Sequence, residues 1–173
     1  MNLFRKSSNA ITTLNHKIFN VALWVIYPLI AVVMYEVVKR YVFLSPTNWV
    51  FDMTWMLFGT FTFLGGAHCL HINGHVKADI FWQLLPKKGR AIVDLISYLI
   101  FFFPVMILLT YSSFNYFLKS FMMNETSPNT NWRPELWPWK LIMLISIIIL
   151  LLQGIVEFWS AIRPLFERKE AEK

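Results

Sequence analysis

The stretch Leu95–Leu118, LISYLIFFFPVMILLTYSSFNYFL, carries no charged residue, and its reading decides the fold. At about 1.5 Å per residue a helix of this length exceeds the ~30 Å hydrocarbon layer of a bilayer. Backbone groups in lipid must be bonded within the segment, which selects a helix over any open strand. Three more apolar runs flank it, Ile18–Met34, Met53–Leu70 and Leu141–Val156, none with a charge near its middle. The expectation is an all-α membrane protein with four transmembrane helices, at about 18–41, 51–72, 92–118 and 137–162. These form a single integral membrane domain over residues 1–173, with little chain left for a soluble one.

Composition agrees. Hydrophobic residues make up 57% of the 173, aromatics 17%, and mean hydropathy is +0.50, outside the soluble globular class. The single cysteine, Cys69, excludes an internal disulfide and a zinc ribbon. Arg5, Lys6 and Lys17 before an apolar run imitate a secretory signal. The run is too long, however, and leads into Tyr35-Glu36 without a small-x-small site, so it reads as an uncleaved first span.

The net charge of +6 follows topology rather than nucleic-acid binding. With four spans, Arg5, Lys6, Lys17, Lys77, Lys87, Lys88, Arg90, Arg163, Arg168, Lys169 and Lys173 share one side. Only Lys39, Arg40, Lys119, Arg133 and Lys140 fall on the other. The excess of positive charge places both termini in the cytoplasm.

Local signals fill in the connections. Residues 1–17 are polar and read as a surface-lying lead-in, and Pro28 is expected to bend the first span. Glu36 and Arg40 sit one helical turn apart, a favourable pairing at the membrane edge. Ser45-Pro46-Thr47-Asn48-Trp49 is a turn, and Asp52 then lies in the first turn of span two, where a carboxylate complements the helix dipole. Gly65 and Gly66 give that span a small-residue face of the kind that lets helices pack closely in lipid. Val76–Leu85 reads as a short interfacial helix between spans two and three, with Trp82 at headgroup level. The connection Asn124–Lys140 holds Pro128, Pro134, Pro138, Trp132, Trp137 and Trp139 and should be stiff and interfacial. Gln153-Gly154 in span four suggests a buried amide in a close helix contact.

Two constellations invite chemistry. His68, His71, His75 and Asp79, with His16 at the same side, have the spacing of ligands to a metal or haem, which would make a membrane redox subunit. Gly74 interrupts their helix and spans three and four hold no histidine, so an interfacial polar face in which His75 and Asp79 tie down the loop is the better reading. Glu36 as a coupling carboxylate would make a small self-sufficient exporter, but Lys39 and Arg40 beside it favour a salt bridge. Glu125, Ser127, Trp132, Arg133 and Lys140 would offer a docking surface for a soluble partner, where Trp and Arg commonly anchor contacts. No P-loop, nucleophile triad or redox motif is present, and the chain does not read as an enzyme.

Several short motifs, in order along the chain, resemble one family. They are Tyr35-Glu36-Val37-Val38-Lys39-Arg40-Tyr41-Val42-Phe43, Ser45-Pro46-Thr47-Asn48-Trp49, Leu57-Phe58-Gly59, Leu64-Gly65-Gly66-Ala67 and His75-Val76-Lys77-Ala78-Asp79-Ile80. Arg90-Ala91, Glu125-x-Ser127, Trp137-Pro138-x-Lys140 and Leu151-Leu152-Gln153-Gly154 follow. Together they resemble the small, DctQ-type membrane subunit of tripartite ATP-independent periplasmic (TRAP) transporters. The resemblance implies a bacterial inner-membrane scaffold paired with a large membrane subunit that carries the substrate and sodium sites. A periplasmic solute-binding protein would deliver a solute of organic-acid type, and an ion gradient rather than ATP would drive uptake. No cofactor is implied for the small subunit. Lys77 and Ala78 depart from the Arg and Val common in the family, and Asp52 stands where a longer acid is frequent.

Overall fold

A computed structural model describes residues 2–72 and 87–171, all helical apart from the connections. Helix α1 runs Asn2–Tyr41 without interruption through Pro28. Nothing between Asn2 and Tyr27 breaks a helix, and the stretch read as a polar lead-in is helical and continuous with the first span. Forty residues at about 1.5 Å rise make a rod of about 60 Å, twice the hydrocarbon layer. Leu44 in the left-handed region (φ 49°) helps turn the chain away after α1. Helix α2 (Val50–His71) then returns.

Lys87–Ile96 (α3), a π-helical turn at Ser97–Phe102 and Phe103–Met123 (α4) form one continuous rod. The widened turn directly precedes Pro104, whose missing N–H already costs one rung of the helical ladder there. Asn124, with φ 46°, ends α4 in the left-handed conformation that closes many helices. A short connection, in which Thr126 and Glu135 form an isolated antiparallel bridge, leads to α5 (Trp137–Ala171).

Three segments are long and apolar enough to cross a membrane: Ala10–Tyr41, Ile92–Met123 and Trp137–Ser160. Helix α2 is 22 residues long and richer in Thr and Gly, which lowers its hydropathy. Its length of about 33 Å still matches the bilayer core. Packing among the rods is unequal. α1 lies on α2, α2 on α5, and α4 on α5, while α5 also touches α3 and α1. Of the most apolar window of α5, 39% is buried within the chain, against 6% for the windows in α1 and in the α3–α4 rod. α5 is therefore the central post, and the other two present much of their apolar surface outward. The expected interfacial helix Val76–Leu85, and with it Trp82, lies outside the described residues.

Candidate functional site

The end of the bundle that carries the 42–49 turn and the 124–136 connection is organised around Asp52. This carboxylate in the first turn of α2 is fully buried. Its Oδ1 accepts from Trp55 Nε1 at 3.0 Å and from Ser127 Oγ at 2.6 Å, and its Oδ2 accepts from Thr130 Oγ1. Ser127 also accepts from the Asn129 backbone N–H at 3.3 Å, closing a local turn. A buried carboxylate needs several donors to offset lost hydration, and here two of them come from the loop. Asp52 therefore fastens the loop to the head of α2.

A second fastening holds the other side of the loop. Lys140, in the first turn of α5, is 1% exposed, yet its ammonium is doubly satisfied. It donates to Glu125 Oε2 at 2.5 Å and stands 3.5 Å from the centroid of the Tyr116 ring. The Lys140 ammonium bonded to Glu125 holds that carboxyl below the usual carboxylate range. Backbone bonds complete the frame: Glu125 N to Ser120 O, Ser127 N to Pro134 O, and Leu136 N to Glu125 O, at 2.9–3.0 Å.

Trp139 ties α2 to α5 below the loop. Its indole N–H donates to the Met56 carbonyl at 3.0 Å, its ring meets Trp55 edge-on at 4.7 Å, and it lies against Gly59. A Cβ at Gly59 would fall 2.8 Å from the Trp139 ring, so only glycine admits the indole there without rearrangement. At the head of α1, Glu36 accepts two bonds from Arg40, at 2.6 and 3.1 Å, and two from the Thr47 backbone and hydroxyl. The pair thus anchors the turn between α1 and α2. Trp49 occupies the cap position of α2 without a capping bond, its ring 5.9 Å from that of Tyr35.

The opposite end, where the termini lie, holds a second polar cluster. Gln153 Nε2 donates to Glu157 Oε1 at 2.9 Å, and His71 Nδ1 lies 2.9 Å from the same oxygen. A carboxylate only accepts, so the His71 tautomer bonded to it carries its proton on Nδ1. His68 stacks on Phe19 at 3.9 Å, and His16 meets His68 edge-on at 4.8 Å. Asn15 is buried with both amide atoms unbonded, as are His68 Nδ1 and Gln153 Oε1. Among the described residues no group of three or more His, Cys, Asp or Glu is arranged to hold a metal ion. His75 and Asp79 lie outside the described residues.

The structure sorts the residues singled out in the sequence. Ser127 and Lys140 are each 1% exposed and face inward, so they hold the loop rather than present it. Glu125 is half-exposed and tied to Lys140. Trp132 and Arg133 remain on the outer surface. The close helix approach expected at Gly65 and Gly66 does not occur among the described residues, since none of their atoms lies within 4 Å of a Cβ built at either. It occurs at Gly59 and at Gly154, where a Cβ would stand 2.1 Å from the Phe102 ring. Sequence reasoning missed Thr130, Tyr116 and Phe102, and gave Trp139 only an interfacial role rather than its contact with α2. The only available signal was the alternation of Trp137 and Trp139 about Pro138, since the remaining pairings join distant segments.

An all-helical membrane protein whose polar side chains pair chiefly with one another is the class these features define. Residues 29–164 match the family model of the DctQ component of tripartite ATP-independent periplasmic transporters. That match covers most of the chain, which belongs to this family, a family of transporter components rather than of enzymes. None of the curated proteins compared with the chain matches it.

Proposed function

We propose that the chain is the small permease subunit of a binding-protein-dependent secondary transporter in a bacterial inner membrane. It would act as the fixed brace against which a large membrane subunit moves. In this reading α2 is the fourth span, both termini are cytoplasmic, and the Asp52 loop faces the periplasm. The observation that carries the reading is the inward use of polar groups. The Asp52, Lys140 and Glu157 clusters hold helices and loop to each other, which suits a rigid part better than a moving one. The large subunit would carry the solute and sodium sites, the solute being of organic-acid type, and no cofactor is assigned here.

Two surfaces fit the two partners. The Gly65–Gly66 strip, where nothing among the described residues lies within 4 Å of a built Cβ, suits close approach by a helix of the large subunit. The exposed Trp132 and Arg133 suit the solute-binding protein. The test is reconstitution in liposomes under an imposed sodium gradient. All three components together should accumulate solute, and this chain alone should not. Uptake by the isolated chain would overturn the proposal.

A further inference from the structure

Charges at the loop end of the bundle are unevenly matched. Each acid described there is engaged within the chain. Glu36 accepts from Arg40 and Thr47, Asp52 is enclosed by Trp55, Ser127 and Thr130, and Glu125 is paired with Lys140. Glu135 Oε2 accepts from Trp137 Nε1 at 2.8 Å. The cations are not used up in the same way. Lys119 and Arg133 are exposed and form no ion pair among the described residues. Arg133 is also held in an unusual backbone conformation. Its φ of 48° lies in the left-handed region, uncommon for a residue with a side chain. The next residue, Pro134, is fixed by the bond from Ser127 N to its carbonyl. Beside it Trp132 is 46% exposed. An indole and a guanidinium thus project from a loop that is fastened from beneath by Asp52 and Lys140.

We propose that Trp132, Arg133 and Lys119 recognise an acidic face of the soluble solute-binding component, with carboxylates meeting the two cations and an apolar depression receiving the indole. The inference rests on the loop facing that component, as proposed above, and adds the sign of the charge and the division of labour. Exposed cations at this end of the bundle, Arg133 on the loop and Lys119 in α4, act over roughly a Debye length and steer encounter, so they govern association. The indole buries apolar area only after contact, so it governs dissociation.

The experiment uses this chain in complex with its large subunit, in nanodiscs of zwitterionic lipid. Binding of the purified solute-binding component is followed by biolayer interferometry, with potassium chloride raised from about 0.05 to about 0.5 M at fixed sodium. The association rate should fall on the order of tenfold across that range. Arg133→Glu and Lys119→Glu should each slow association several-fold and flatten the salt dependence, while Arg133→Lys should keep most of the rate. Trp132→Ala should speed dissociation about tenfold with little change in association.

A salt-independent association rate with both charge reversals silent would overturn the proposal. If Trp132→Ala still weakened binding, the loop would dock by its apolar part alone and the broader reading would survive. If none of the substitutions mattered, both would fall. An Arg133→Glu effect seen only in nanodiscs containing anionic lipid would assign these cations to the membrane surface and equally overturn the proposal.

Discussion

Replacing Asp52 in a graded series tests how the loop is held. Asp52→Asn keeps the side-chain volume and one acceptor oxygen. The bonds from Trp55 at 3.0 Å and Ser127 at 2.6 Å can survive on that oxygen, and Thr130 Oγ1 can turn to accept from the new amide. What disappears is the charge assistance, which roughly doubles the strength of such bonds. The expected cost is about 1–2 kcal/mol. Asp52→Ala removes every acceptor. The hydroxyls of Ser127 and Thr130 recover partners only if the loop lifts into water, so the cost should be about 3–5 kcal/mol. The backbone amides of Ser127 and Leu136, bonded at 2.9 Å to Pro134 and Glu125, report loop opening through hydrogen–deuterium exchange in detergent. With tenfold per 1.4 kcal/mol, exchange there should quicken about tenfold for Asn and at least a hundredfold for Ala. Peptides around Gln153, at the far end, should not change. Equal exchange in the two variants, or acceleration spread evenly along the chain, would refute the assignment of Asp52 as the loop's fastening.

Three further outcomes follow from the geometry. Gly154→Ala must push the Phe102 ring from 2.1 Å out to ordinary contact distance, at an expected cost of about 1–3 kcal/mol. Melting followed by circular dichroism should fall by about 2–4 °C per kcal/mol, and a Phe102→Leu background should remove most of the loss; undiminished loss there would count against the contact. Gly66→Leu should leave the melting of the isolated chain nearly unchanged, because nothing among the described residues lies within 4 Å of a Cβ there, yet lower recovery of the complex with the large subunit. Unaltered recovery would free that strip from any role in assembly. Glu125, its carboxyl lowered by Lys140, contributes stability that is complete above its ordinary value of 4.5 and is lost as pH falls through the lower folded value. Loop protection, after correction for the intrinsic pH dependence of amide exchange, should therefore fall more steeply under acid in the native protein than in Glu125→Gln, where it is already reduced.

The helical class was legible because it is written in composition and length. Uncharged runs such as Leu95–Leu118 admit no other secondary structure in lipid. Local pairings were legible too, since Glu36 and Arg40 lie four residues apart and helical geometry alone brings them together. Pairings between distant segments were not. That Asp52 would meet Ser127 and Thr130 depends on how the loop folds back over α2, and that Gly59 would receive Trp139 depends on the register of α2 against α5. The glycines show this most plainly. Gly65-Gly66 looked like the packing face because the pair is conspicuous, but a lone glycine opposite a large ring makes the closer contact at both Gly59 and Gly154. Ser127 and Lys140 read as part of a docking surface for a similar reason, since nothing in their spacing reveals the buried carboxylate and ring that take them.

Among the described residues α5 packs against every other rod, and it works as a strut between the two ends of the bundle. Lys140 clamps its upper foot beneath the loop, and Glu157, which also accepts from Gln153, pins its lower foot to α2 through His71. A load applied at the loop reaches the far side along α5 and along α2, which carries Asp52 at one end and His71 at the other. Natural variation should be zoned accordingly. The outward flanks of α1 and α4 are free to drift among greasy side chains, which lipid grades only by hydrophobicity, whereas the inward stripe of α5 has little latitude at all.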